Sequence, residues 1–333
     1  MSEVTAPPTR SLAGLIDYAV AFPQGRVTVA QMHEWSGLST AEIMEITHCT
    51  EFPMLEPDEY AWELAVEAAG AVLDRTDTDV DSITRLIYAG SGYWDAPAWS
   101  PAAKVADELG ITQAHCFEVT NFCNALTLGI QVAVDGLRPG AGDRVLVVSA
   151  ERFGGTVDRR DPDSKALFNF GDAAAAVLVG EADRGLAYLG SSARTDPRWC
   201  DYYAGEYHET GVHTRRRGRR AGLADAYQDN FVTLVERTLK DIDRDLADVR
   251  YLLLNQNDKN VQDRLLSALG LPPDRTVHNH AKLGHMGCAD VLIALRGLAD
   301  LRALADGDLV LLATSGLGFS WSVTALEYRA GES

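Results

Sequence analysis

Three side chains have the types and the spacing for covalent catalysis: the thiol of Cys123, the imidazole of His285 and the carboxylate of Asp290. Cys123 lies in Asn121-Phe122-Cys123-Asn124-Ala125, where a short apolar strand ends and a long helix begins. His285 and Asp290 share the stretch Gly284-His285-Met286-Gly287-Cys288-Ala289-Asp290, which reads as a short loop feeding a second helix. A thiol attacks as thiolate, so it needs a base, and an imidazole serves as that base when a carboxylate holds its other ring nitrogen. Asp290 at the helix start is within reach of the ring of His285. The unpaired N–H groups and the dipole of the helix after Cys123 are expected to lower the thiol pKa and favour thiolate.

Each residue also has a plainer reading. A free cysteine is usually a small buried hydrophobe. Cys288, inside the first turn of an apolar helix, reads that way, and so do Cys49, Cys116 and Cys200. Asp290 suits the N-terminal dipole of its helix as well as it suits an imidazole, and one carboxylate can do both. His278, His280 and His285 lie close together, but their spacing matches no helical HxxxH pair and no thiolate pair completes a site, so no metal is expected. The cysteines number five, without CxxC spacing, which indicates neither a disulfide framework nor a zinc cage.

The elements that must position these groups alternate between strands and helices. Strands are expected at 12–20, 85–89, 116–119, 144–149, 174–180, 251–255, 309–313 and 321–328, and helices at 60–74, 100–110, 123–137, 223–246, 259–269 and 288–304. An irregular stretch is expected at 277–287 and a glycine-rich turn at 314–319. Continuous apolar strands between helices mean a sheet covered on both faces, a layered α/β class in which two similar units suggest duplication. The 333 residues, 46% of them hydrophobic, suffice for one or two globular domains. A net charge of −18 opposes binding to a phosphate backbone, so nucleic acid is set aside. With no leader pattern and no apolar run of about 18 residues, no membrane span and a cytoplasmic location are expected.

Cys123 at a helix start, Phe170-Gly171-Asp172-Ala173 ahead of an apolar strand, the Gly284-His285 loop and Gly316-Leu317-Gly318-Phe319-Ser320-Trp321 resemble, in this order, the landmarks of the thiolase fold and, more narrowly, of β-ketoacyl synthase III and its relatives. The resemblance covers residues 12–328. It implies a five-layered α-β-α-β-α fold from two pseudo-duplicated halves, residues 1–180 carrying the cysteine and residues 181–333 carrying the His/Asp pair. It further implies a homodimer, no bound cofactor, and an acyl group carried on Cys123 as a thioester. The donor would be the phosphopantetheine of an acyl carrier protein, or coenzyme A. Backbone N–H groups of Cys123 and of the Gly316–Gly318 turn would face the oxyanion, with Leu317 as the turn donor by resemblance.

The departures from the family pattern bear most on function. Condensing members carry a histidine in an HQxN motif at the end of the strand read here as 251–255, and an asparagine in the later loop; here those places hold Asn255-Gln256-Asn257-Asp258 and His285. A histidine and an asparagine together stabilise a malonyl enolate, and that arrangement is gone. With Cys123, His285 and Asp290, the chain instead resembles the synthase III-like acyltransferases of natural-product pathways, the antibiotic and polyketide routes of secondary metabolism, which form esters, amides or thioesters. Asn255 would then donate to the thioester carbonyl or to a small-molecule or carrier-bound acceptor.

The run Arg215-Arg216-Arg217-Gly218-Arg219-Arg220 stands out in an acidic chain, as a solvated loop or as a docking patch for an acidic carrier or its phosphate. By resemblance a carrier is the better donor, because the tryptophan and arginine that clasp the adenine of coenzyme A are replaced in Glu42 to His48. The resemblance also places Trp99 near an aromatic that crosses the dimer, and Tyr93, Trp94 and Phe122 near the acyl pocket. Two rivals stand beside the transferase. One is a decarboxylating synthase with an unusual residue set, for which His278 or His280 would supply the base, and the other is a catalytically silent partner subunit, against which the intact Cys123, His285 and Asp290 speak.

Overall fold

The computed structural model describes residues 12–331 except Thr210 and Arg219. The chain enters through β1 (Leu12–Ala21) and β2 (Arg26–Thr28), then α1 (Val29–Ser36), α2 (Thr40–Thr47), β3 (Glu51–Pro53) and α3 (Ala61–Thr76). The part carrying Cys123 comprises β4 (Ile83–Gly90), α4 (Pro101–Glu108), β5 (His115–Thr120), α5 (Ala125–Asp135), β6 (Arg144–Ala150) and β7 (Ala174–Ala182). After β8 (Gly185–Thr195) and the hairpin β9 (Tyr203–His208) and β10 (Gly211–Arg216) come α6 (Leu223–Asp241), β11 (Val249–Leu254), α7 (Lys259–Leu269) and α8 (His280–Leu283). The chain ends with α9 (Asp290–Asp300), β12 (Leu309–Gly316) and β13 (Ser320–Arg329).

Local chemistry fixes the helix ends. Ser100 caps α4 by accepting the N–H of Ala103, with Pro101 behind it in the first turn, and Asp258 caps α7 through the N–H groups of Asn260 and Val261. Gly270 ends α7 in the left-handed region, which glycine adopts at no steric cost.

The sheet runs β5-β4-β6-β7-β1-β8-β13-β12-β11. In the first half β4 is parallel to β5 and β6, then β6–β7 and β7–β1 are antiparallel. The second half repeats this sense: β11–β12 parallel, β12–β13 and β13–β8 antiparallel. Among the described residues it has no outer strand equivalent to β5. In that place residues 275–277 run beside β11 held by side chains, Thr276 Oγ1 donating to the carbonyl of Leu252 at 2.7 Å. The halves meet where Gly14 and Leu15 pair with Ala187 and Leu186.

Period-two alternation sorts the side chains into layers. Leu86 and Tyr88 of β4 pack under α3 and α4, whereas Ile87 and Ala89 face a central layer of α5 and α9. Leu253 of β11 joins that centre, and Leu252 and Leu254 face α6 and α7. This is the five-layered α-β-α-β-α order, and the central helices therefore start at the same end of both half-sheets, which brings Cys123 and Asp290 together. Each large apolar side chain so buried contributes about 1.5–3 kcal/mol.

Several expected boundaries move. Residues Phe122–Asn124 form a 3-10 turn, so the helix expected at 123–137 is α5 from Ala125, and Gly287–Ala289 likewise precede α9. β12 runs on to Gly316, which shortens the glycine-rich turn to Leu317, Gly318 and Phe319. β7 continues to Ala182, so a division at 180 would cut a strand. The strand β8 and the hairpin β9–β10 carry no continuous apolar run, since small and polar residues fill them, and this hides them from a periodicity reading.

Candidate active site

Cys123 is presented by a strained turn. Asn121 N donates to the Gly90 carbonyl at 3.1 Å at the end of β5, and Phe122 then adopts φ +49°, a left-handed conformation rare for an aromatic residue. Such strain, of order 1–3 kcal/mol, survives only where the surroundings hold it. Cys288 Sγ donates to the Phe122 carbonyl at 2.9 Å, and Gly316 presses against the turn so closely that a Cβ there would overlap the Asn121 carbonyl. Gly316→Ala is therefore expected to cost about 1–3 kcal/mol, read as a lower Tm, together with slower acylation of Cys123 in the fraction that remains folded.

His285 arrives from the other half-sheet. Gly284, at φ +61°, brings the loop against the Asn169 carbonyl, which accepts the N–H of His285 at 2.8 Å, and the His285 carbonyl accepts the N–H of Gly171 at 3.0 Å. Phe170 stands edge-on to the imidazole with ring centroids 4.5 Å apart. The Phe170-Gly171-Asp172 landmark thus serves as the wall and clamp of the imidazole.

The three chemical groups are in register. His285 Nε2 lies 3.2 Å from Cys123 Sγ, and His285 Nδ1 lies 2.5 Å from Asp290 Oδ2. A carboxylate only accepts, so the ring proton belongs on Nδ1 and Nε2 is left to take the thiol proton; the tautomer is assigned from this network. Asp290 is fixed in turn by the N–H of Gln256 on Oδ2 at 2.6 Å and the N–H of Met286 on Oδ1 at 2.8 Å. Its carboxylate is locked by three donors, at the first position of α9. Gln256 braces the same corner, donating to the carbonyls of Leu254 and Val277 and accepting the N–H of Asn279.

Burial reverses the expected thiol electrostatics. Desolvation pushes the Cys123 thiol well above its usual range, and Glu151, Cys288 and Asp290 push it further; backbone N–H donation opposes this without overcoming it. The expectation of a resting thiolate therefore gives way to a neutral thiol donating to Nε2. The Cys288 thiol is also raised by burial and is engaged with Phe122, a structural role.

Asn255 is held differently from its expected role. Its Oδ1 accepts the N–H of Ser315 at 2.7 Å and its Nδ2 donates to the Gly287 carbonyl at 3.3 Å, tying β11, β12 and the His285 loop together. Leu317 joins Phe122, Phe153, Phe168 and Phe170 in one apolar cluster beside the thiol, and Gly316 and Gly318 flank it. Of the expected acyl-pocket aromatics only Phe122 belongs to this cluster. Trp94 stacks edge-on against Tyr88 in the outer layer, Tyr93 points its hydroxyl at Gly211 in the β9–β10 turn, and Trp99 is half-buried ahead of α4. His278 Nδ1 pairs with Gln262 Oε1 at 2.9 Å, and His280 packs between His48 and His278. Neither of the two reaches Cys123 in the way His285 does. Among the described residues no group of three histidine, cysteine or acidic side chains is gathered to hold a metal.

The basic run is largely internal in its pairing. Arg215 reaches Asp161, Arg216 reaches Asp163, Arg217 reaches Glu206 at 3.1 Å, and Arg220 donates to the Arg198 carbonyl over the ring of Trp199. Arg219 lies outside the described residues. These pairings favour the plainer reading of the run. A cavity of about 270 Å³ opens beside the site, walled by Phe170, Tyr203, Tyr227, Leu317 and Phe319, with Asn257 at its polar side. Tyr227 and Glu151 are functional candidates that the sequence pattern did not reveal; Glu151 was signalled only as a charge directly after an apolar strand.

Residues 117–197 match the family model of 3-oxoacyl-(acyl-carrier-protein) synthase III, and residues 239–328 match the model of its C-terminal part. The first span contains Cys123, and the second contains Asn255, His285, Asp290 and Leu317. The chain belongs to the synthase III-like members of the thiolase superfamily. Members of this family are acyl-transferring enzymes, and the chain is one of them. It is 27% identical over 341 residues to a β-ketoacyl-(acyl-carrier-protein) synthase III of Deinococcus radiodurans, covering 98% of each chain. It is 29% identical over 314 residues to the enzyme of that name from Sphingopyxis alaskensis, covering 92% of this chain and 96% of the relative. The fold matches 3-oxoacyl-(acyl-carrier-protein) synthase III from Aquifex aeolicus with a TM-score of 0.86 at 20% identity, over 95% of this chain and all of that one. OleA from Xanthomonas campestris matches with a TM-score of 0.85 at 20% identity, over 95% and 98% of the two chains. The site of this synthase III-like chain offers one imidazole held by a carboxylate, and an amide already engaged at position 255. No helix among its described residues is long and apolar enough to cross a membrane.

Proposed function

We propose that the chain transfers an acyl group from a thioester to an alcohol, amine or thiol through an acyl-Cys123 intermediate, without decarboxylative condensation, in a route of secondary metabolism. The observation that carries this reading is the Cys123–His285–Asp290 line, with contacts of 3.2 and 2.5 Å. Cys123 Sγ attacks the donor carbonyl as its proton passes to His285 Nε2. The tetrahedral oxyanion is held by the N–H groups of Cys123 and Leu317, and the donor thiol leaves with the proton from Nε2. The acceptor then gives its proton to Nε2 as it attacks the acyl carbon, the C–S bond breaks, and the imidazolium returns the proton to the Cys123 sulfur. Asp290 stabilises the imidazolium in both halves.

The donor is carried by an acyl carrier protein, a reading supported by relatives named for that carrier. The working unit is a homodimer, a reading supported by β5, which ends the sheet with a half-exposed edge and packs beside α4, whose cap Ser100 donates to Glu118 of β5. Light scattering is expected to give twice the chain mass, and a monomer would remove this part of the reading. The decarboxylating synthase remains the second reading because the named relatives are β-ketoacyl synthases. A malonyl donor labelled at its free carboxyl separates the two: transfer leaves the label in the product, whereas condensation releases it as carbon dioxide.

A further inference from the structure

Glu151 is a buried carboxyl beside the nucleophile that the acyl-transfer steps leave unused. It follows the last residue of β6 and is 6% exposed. Its Oε1 accepts the N–H of Ser91, which follows β4, and its Oε2 faces the His285 loop, 2.9 Å from where a Cβ on Gly287 would stand. Arg152, the adjacent residue, points the other way, to Asp95 and the Glu59 carbonyl. The titratable groups that share its surroundings are Tyr88 from β4, Cys123 from the turn before α5, and His285 and Cys288 from the loop before α9.

Charge counting decides its state. During attack the site holds a thiolate, an imidazolium and the Asp290 carboxylate, a sum of −1. A charged Glu151 would make it −2 around a buried carboxyl on which, among the described residues, His285 is the one cation that acts, which burial penalises. Burial indeed raises the Glu151 carboxyl above its ordinary range, against the hydrogen bonds from Ser91 and the pull of His285. Because Oε1 accepts the Ser91 N–H, the proton belongs on Oε2.

We propose that Glu151 is a positioning residue for the nucleophile: it remains an uncharged carboxylic acid while Cys123 ionises, and its own ionisation as pH rises suppresses the thiolate. The inference rests on Cys123 being the nucleophile but not on acyl transfer, since thiol ionisation is readable without any acyl donor. The neutral-acid form is complete below the ionisation of Glu151 and is lost as pH rises through it, so the suppression belongs to the alkaline side.

The test is peptide-resolved alkylation of Cys123 by iodoacetamide in the wild type and in Glu151→Gln across pH about 6 to 10. The two are expected to react alike at the acidic end, and the variant about tenfold faster at the alkaline end, one unit of thiol pKa being a factor of ten. Superimposed curves, or a variant slower by one factor at every pH, would overturn the proposal. Should the variant not fold, infrared spectroscopy of the wild type decides. At pH about 8, where Asp172, raised by burial to about 6, is already ionised, a protonated carboxylic C=O stretch is expected, and its absence would equally overturn it.

Discussion

Replacing His285 with alanine is expected to lower kcat by about 10³-fold, the middle of the range for losing a positioned acid–base group. Burial has already pushed the Cys123 thiol up, so without Nε2 the sulfur stays protonated and the donor half-reaction fails first. The acceptor half-reaction fails as well, because Nε2 beside the Cys123 sulfur is the base that takes the acceptor proton. A merely structural role for His285 would show as a lower Tm with little change in turnover. The expected pattern is the reverse, a modest Tm change from losing the Phe170 edge contact and a collapse of both half-reactions in rapid-quench kinetics. Turnover within about fivefold of wild type would exclude His285 as the base.

Asp290→Asn is expected to cost nearly as much, about 10²–10⁴-fold in kcat. Asp290 accepts from three donors, the His285 ring, Gln256 N and Met286 N. An asparagine has one acceptor oxygen, so its amide nitrogen must confront an N–H. Either orientation leaves one backbone N–H facing the amide nitrogen, and with that nitrogen at the Oδ2 place the His285 ring must also turn to its other tautomer, which points a proton at Cys123. Because the three groups act as one unit, the double variant with His285→Ala should be no worse than the single one. Losses that multiply would show that Asp290 only supports α9.

The chemistry of this site was legible in the sequence because its residues sit at the ends of recognisable apolar elements. Cys123 follows β5, Asp290 begins α9, and loops that bind and react lie where strands give way to helices. The runs RVLVVS and YLLLN marked β6 and β11 because strands covered on both faces are continuously apolar. What stayed hidden depends on distance in the chain. The direction of the Cys123 shift is set by burial between two half-sheets, and a helix N-terminus read locally gave the opposite sign. The engagement of Asn255 depends on Ser315, sixty residues later. The basic run lost its apparent charge to Asp161, Asp163 and Glu206, whose approach only the folded hairpin arranges.

Intact-protein mass spectrometry tests the central claim most directly. Wild type and Cys123→Ala would each be mixed with malonyl and other acyl thioesters of an acyl carrier protein and of coenzyme A, then with an alcohol, amine or thiol. The expected result is an adduct on the wild type alone that keeps its full acyl mass, including the malonyl carboxylate, and disappears when the acceptor is added. An adduct of equal size on Cys123→Ala, no adduct with any donor, or a malonyl adduct that loses carbon dioxide on the way to a lengthened chain would contradict it.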